Sequence, residues 1–264
     1  MDKNKKIEFY RPNNLVNNVV LVNGTARCGK SLISPIISSF KNVEIERVEG
    51  IFDYIAVSHF FGSIEKSCAI NMLRTLVDEY TYSSYLSRDT NFRWKDHSSI
   101  FKSPSPFKYI KRLFMDEGVD TVKRIQKEDP IYQNQGHDHM QFVRLHMEAW
   151  PNKFKMIEII RDPIDQVDTW WRRGWGTRFS KDPAAYTPSL KFKDTAVPFY
   201  AHGWEEDYLE ITPMNRIIKM LYHLQLGNRN AYEALTENEK KQILVIRFED
   251  FILNTYDHVK KIAD

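Results

Sequence analysis

Gly24, Gly29, Lys30 and Ser31 stand in the spacing G-x-x-x-x-G-K-S, within the stretch VVLVNGTARCGKS. A glycine-rich turn between an apolar β-rich run and a helix aims several backbone N–H groups at one point, at the positive end of the helix dipole. That point suits a phosphate or a related oxyanion, whatever chemistry follows. A second cation, Arg161, comes directly after the apolar run KMIEII at 155–160 and precedes Asp162 and Pro163. Open α/β sheets hold ligands at the carboxyl ends of their strands, so Arg161 is positioned for a second anionic group. With Asp162 as cap and Pro163 in the first turn, the spacing predicts a helix with Gln166, Thr169 and Arg173 on one face. Ile164, Val167 and Trp171 form the apolar stripe expected to pack on the sheet. Magnesium-dependent phosphoryl transfer needs, besides the loop, an acid on a neighbouring strand. The acids after KMIEII and after ILVIRF (243–248) each follow an arginine, which favours an anion there over a metal. Lys30 and Ser31 keep a small-molecule kinase using ATP and magnesium as the alternative reading.

The elements that must hold these residues are short apolar strands alternating with helices. VVLVN at 19–23 reads as a buried parallel strand, and 31–40 as a helix interrupted by Pro35. The stretch 43–50, VEIERVEG, reads as a second strand or strand-like edge. Residues 63–130 read as mainly helical, broken by a loop at 87–101, and 174–213 as an irregular lid rich in Gly, Pro and aromatics. A helix near 213–235 and the strand ILVIRF complete the pattern. The expected fold is α/β, three-layer, with a mostly parallel central sheet, in a single domain over 1–264.

Hydrophobic residues make up 42% of the 264 and aromatics 13%, enough for a large core and a broad pocket. A formal charge of +3 is too small to point to nucleic acid. Cys28 and Cys68 supply neither a disulfide framework nor a metal-ligand set. No apolar run approaches the ~20 residues of a membrane span, and the charged start lacks a secretory core. A cytoplasmic protein without stable membrane insertion is the expectation.

Three segments, VLVNGTARCGKSLISPIISSF, KMIEIIRDPIDQVDTWWRR and ILVIRFEDF, resemble sulfotransferases that use 3′-phosphoadenosine 5′-phosphosulfate (PAPS) in order and spacing. The resemblance spans about 19–255 and is weak over 63–150. It implies a P-loop-like sulfotransferase fold and transfer of a sulfuryl group from PAPS to a hydroxyl or amine of a small-molecule, sugar or lipid acceptor. No metal is expected, because a sulfuryl group carries less charge than a phosphoryl group. By this likeness Arg27, Cys28, Gly29, Lys30 and Ser31 face the 5′-phosphosulfate, while Arg161 and Thr169 hold the 3′-phosphate. Lys30 departs from the family's usual Thr or Ser and is expected to neutralise charge on the leaving phosphate.

Two residues compete as catalytic base. Glu49 lies 22 residues after Arg27, near the glutamate of the groups modifying protein tyrosines and of many bacterial members. His139 lies 22 residues before Arg161, the spacing of the histidine in cytosolic small-molecule sulfotransferases; the lysine expected two positions earlier is His137. The segments 51–62, 87–101 and 174–213 are the expected acceptor walls. The sequence ends at Asp264, where related chains continue with a helix and a basic loop over the 3′-phosphate; a non-catalytic nucleotide-binding protein is therefore a third reading.

Overall fold

The computed structural model describes residues 7–179 and 181–263. In chain order the elements are β1 (Asn18–Asn23), α1 (Lys30–Ile37), α2 (Ile51–Phe60), α3 (Lys66–Tyr85), α4 (Pro106–Arg112) and α5 (Val119–Glu128). They continue with β2 (Ile131–Gln135), α6 (Val143–Ala149), β3 (Phe154–Ile160), α7 (Pro163–Arg172), β4 (Ser189–Phe192) and β5 (Thr195–Pro198). The last are α8 (Glu205–Glu210), α9 (Pro213–Glu233), α10 (Glu237–Lys240), β6 (Ile243–Arg247), α11 (Phe248–Leu253) and α12 (Thr255–Ala263).

Four strands form an all-parallel sheet in the order β2-β1-β3-β6. Val19 and Leu21 of β1 face one side, Val20 and Val22 the other, and all four are buried. A strand covered on both faces reads as an unbroken apolar run, as this one does. Helices α2, α3, α6 and α9 pack on the first face, α1, α11 and α12 on the second. From β1 the chain moves outward to β2 on one side and later to β3 on the other. The carboxyl ends of β1 and β3 therefore border the crevice where such sheets hold ligands. The loop after β1 and Arg161 after β3 share that edge.

One two-way expectation resolves, one strand was not anticipated and one expectation changes. Residues 43–50 pair along the edge of β2 without forming a regular strand: Glu44 N–H donates to Ile131 O at 3.0 Å and Arg47 N–H to Gln133 O at 3.1 Å. The Glu44 side chain is drawn into the buried guanidinium of Arg112 at 2.7 Å and to Lys108 at 2.7 Å, which hold its carboxyl down at about 2 despite burial. Second, β2 itself, IYQNQ, carries no apolar signal. Two of its three buried amides are met by partners, Gln133 Nε2 donating to Ser34 O at 3.0 Å and Gln135 Nε2 to Ser34 Oγ at 3.2 Å, whereas the Asn134 amide has no partner among the described residues. Third, of the stripe expected on α7 only Val167 packs against the core, while Ile164 is 78% and Trp171 49% exposed. Gln166 and Trp170 are the buried edge instead, because the Trp170 indole N–H reaches Ala26 O at 3.0 Å and the ring packs on Trp175.

The segment 174–213 contains the antiparallel hairpin β4–β5 and α8. Among the described residues no helix is long and apolar enough to cross a membrane.

Candidate active site

The loop from Gly24 to Gly29 can be built only with glycine at its two ends. Gly24 has φ 138° and a Cβ there would lie 2.3 Å from Ile159 O; Gly29 has φ 109° and its Cβ would enter the Phe248 ring at 2.2 Å. Arg27, at φ 69°, adds a left-handed residue in between. The chain thus curls tightly before α1, whose first N–H groups have no intrahelical partner.

Arg161 lies against this loop. Its Nη1 donates to Arg27 O at 3.0 Å, its guanidinium stands 5.0 Å from the Phe248 ring centre, and Asp165 Oδ2 is 3.6 Å from Nη2. Its buried Nε has no partner among the described residues. Arg27, Arg173 and Arg178 crowd nearby, and partial burial with those two guanidinium charges lowers the Arg27 pKa. A cationic cluster with an unmet donor fits an anion such as a phosphate. A cavity of about 440 Å³ fills this space, lined by Arg27, Gly29, Lys30, Ser31, Arg161, Thr169 and Arg173. Thr169 donates its Oγ1–H to Asp165 O at 2.8 Å, and its oxygen remains available to accept.

Lys30 and Cys28 lie under the loop. Lys30 is buried, its ammonium donating to Gly24 O and, at 3.2 Å, to Thr25 O. Cys28 is fully buried, and burial raises its thiol pKa, so it offers the site its backbone alone. Two acids share the Lys30 charge from below. Burial pushes Asp138 up, against Lys30 and the Thr25 hydroxyl, which donates at 2.9 Å. Burial, with Asp138 adding, pushes Glu158 up to about 8, although Asn23 Nδ2 donates to it.

Glu158 makes the fold sensitive to alkali. Its unfolded carboxyl ionises near the ordinary 4.5, whereas the folded one keeps its proton to about 8. Between those values the unfolded state binds fewer protons, so stability falls as pH rises. Glu158→Gln is expected to flatten that slope and to raise unfolding stability by on the order of 2 kcal/mol at pH 7, read from urea melts at pH 5 and pH 8. Equal slopes in both proteins would refute a buried neutral carboxyl.

A second cavity, of about 490 Å³, opens beyond the first. Its wall is a packed run of rings: Trp170–Trp175 at 4.7 Å between centroids, Phe179–Tyr200 at 5.9 Å and Phe199–Tyr200 at 5.0 Å. The two cavities share Ala26, Gln135, His137 and Trp175. Titratable groups at the inner end form a chain. His137 Nδ1 is 3.3 Å from Asp53 Oδ2, Asp53 Oδ1 is 2.6 Å from His139 Nε2, and His139 Nδ1 is 2.8 Å from His146 Nε2. Burial would raise the Asp53 carboxyl, but the hydrogen bonds and charges of His137 and His139 outweigh it and hold it well below the usual range. Burial, with His139 adding, keeps His146 well below an ordinary histidine and hence neutral. An ionised Asp53 only accepts, so both facing nitrogens carry protons. His139 Nδ1 and His146 Nε2 then share one proton between them.

This chain places the two candidate bases. His139 is fully buried with both ring nitrogens committed. Glu49 accepts from Arg47 at 2.8 Å, hydrogen-bonds Tyr80 and lines neither cavity. The group at the common wall is His137, 39% exposed. The acids after the two strands are each engaged through one oxygen: Asp162 Oδ1 caps α7 by accepting from Ile164 N at 2.8 Å, and Glu249 Oε1 accepts from Asp162 N at 2.9 Å, while Glu249 Oε2 has no partner among the described residues. Sequence reasoning missed His137 and Asp53. The available signals were a histidine just past a polar strand and one acid in the apolar start of α2.

No family model matches the chain, and no curated protein matches it by sequence. Among solved structures it is similar to a sulfotransferase domain from the curacin biosynthetic pathway, with TM-score 0.49 and 9% identity over 94% of this chain and 73% of that one. It is also similar to a sulfotransferase domain from the Synechococcus PCC 7002 olefin synthase, with TM-score 0.49 and 10% identity over 98% and 76%. A sulfotransferase from Alicyclobacillus acidocaldarius gives TM-score 0.38 and 14% identity over 94% and 78%.

Proposed function

We propose that this protein transfers a sulfuryl group from PAPS to the hydroxyl or amine of an acceptor held in the ring-lined cavity. The observation that carries the reading is the wall common to the two cavities, cationic on one side and aromatic on the other, with His137 in it. The loop N–H groups and Arg27 would hold the 5′ end of the donor, and Arg161, Thr169 and Arg173 its 3′-phosphate. Bound there, PAPS supplies an activated sulfuryl group. His137 donates Nδ1–H to Asp53, which leaves Nε2 as the acceptor for the proton of the incoming hydroxyl. Asp53 fixes that tautomer and stabilises the imidazolium formed, as the acid of a triad does. The ring wall excludes water, which strengthens each of these contacts.

The kinase reading needs a carboxylate free to hold magnesium near Ser31. Asp162 caps α7, and Glu158 is buried against Asn23. Glu249 holds the Asp162 N–H through one oxygen and keeps the other unpartnered among the described residues, so it has an oxygen to offer a metal. Titration calorimetry separates the two. Adenosine 3′,5′-bisphosphate is expected to bind at least ~10-fold more tightly than ATP with magnesium, a difference of about 1.4 kcal/mol. The reverse preference would return the loop to phosphoryl transfer.

A further inference from the structure

The mouth of the ring-lined cavity is unusually apolar for a surface. Val48, Ile51, Tyr54 and Tyr186 line it and are 53%, 40%, 46% and 76% exposed. Ile51, at the start of α2, also lines a separate groove of about 330 Å³. That groove runs along α3 between Cys68, Met72 and Leu76, with Phe9 as its other side. The segment carrying Phe9 is fixed to α3: Phe9 N–H donates to Ser67 Oγ at 3.1 Å and Asn71 Nδ2 to Phe9 O at 2.7 Å. Among the described residues no charged side chain lines the groove, and Asn71 and Thr75 are its polar members. Phe9 and Met72 are 55% and 38% exposed, so an apolar track leads from His137, past the rings, over Ile51 and out along α3.

A contiguous exposed apolar surface of this kind calls for an occupant. Because it meets the acceptor cavity at Ile51 and its described lining carries no charge, the occupant that fits is part of the acceptor. We infer that the acceptor is an alcohol with a long linear apolar tail, its hydroxyl at His137 and its tail crossing Ile51 into the groove between Phe9 and Met72. This rests on the sulfuryl-transfer reading for the role of the hydroxyl, but not for binding of the tail. A compact acceptor, such as a sugar, would leave the α3 groove bare. A tail gains from every methylene it removes from water, about fourfold in affinity each.

The test is binding of n-alkanols to the free protein, followed through the fluorescence of the tryptophans in the cavity wall. Affinity is expected to rise steadily from butanol through octanol to dodecanol. Met72→Glu, at an exposed helical position, is expected to weaken dodecanol at least ~10-fold while leaving butanol unchanged, and Met72→Leu to restore it. Equal affinity for short and long alcohols would overturn the inference, as would equal loss of both in Met72→Glu or no binding of any alkanol. If Met72→Glu changes sedimentation instead of dodecanol binding, a second copy of the chain covers the groove and the inference also fails. Bisphosphate binding is scored separately. Its absence beside a normal chain-length series would remove the transfer reading and leave the tail groove standing.

Discussion

His137→Ala is expected to lower turnover on PAPS with a phenol or alkanol acceptor by ~10²–10⁴-fold, the usual contribution of a positioned base. The dissociation constant for adenosine 3′,5′-bisphosphate should stay within about twofold, because the donor's anions are met by the loop and the arginines. Asp53→Asn is expected to lower kcat in the same direction with little change in donor affinity, since an amide neither holds the productive tautomer nor stabilises an imidazolium. Glu49→Gln should leave turnover nearly intact, for its carboxylate is spent on Arg47 and Tyr80. A large loss in Glu49→Gln together with a mild one in His137→Ala would reverse the assignment. His139→Ala is less informative, because removing a buried ring bonded on both sides damages packing as well as chemistry.

Arg161→Ala should weaken bisphosphate binding by about 2–3 kcal/mol, or ~30–150-fold, the lower part of the range for deleting one partner of a buried charged pair. The lower part applies because the Arg161 side chain is 23% exposed. Part of any loss could come from the loop, since Arg161 also supports the Arg27 carbonyl. Arg161→Lys separates the two contributions: it keeps the charge and gives up the forked geometry, so an intermediate affinity that falls with salt is expected. Calorimetry showing unchanged affinity in Arg161→Ala would remove the 3′-phosphate site from this edge of the sheet.

The parts of this site legible in the sequence are those written in apolar runs and special backbone. VVLVN followed by Gly24 and Gly29 announces both a buried strand and a turn no other residue can make. KMIEII followed by Arg-Asp-Pro announces a strand, an anion contact and a capped helix, and Asp162 does cap α7. What stayed hidden depends on amides. β2 is buried through side-chain bonds from Gln133 and Gln135 to α1, so it lacks the hydrophobic signature that periodicity detects. Without β2, the distance in sequence from His139 to Arg161 was the only guide, and it selects the residue two places past the one on the cavity wall. Asp53 was invisible for another reason: its partners lie more than eighty residues away, and only the packing of α2 on the sheet brings them together. On α7 the buried edge is Trp170, anchored to Ala26 and flanked by Val167, so the helix turns Ile164 and Trp171 outward.

Phe248 stands where three distant parts of the chain converge: its ring closes the space beside Gly29 and carries the guanidinium of Arg161. It touches no donor group in the proposed arrangement, yet it is the floor on which both donor contacts rest. A chain truncated before β6 would keep each residue assigned to PAPS and still lose its grip on the nucleotide. Shaving the ring to a smaller side chain should likewise loosen both ends of the donor together, as one hinge pin frees two leaves of a door.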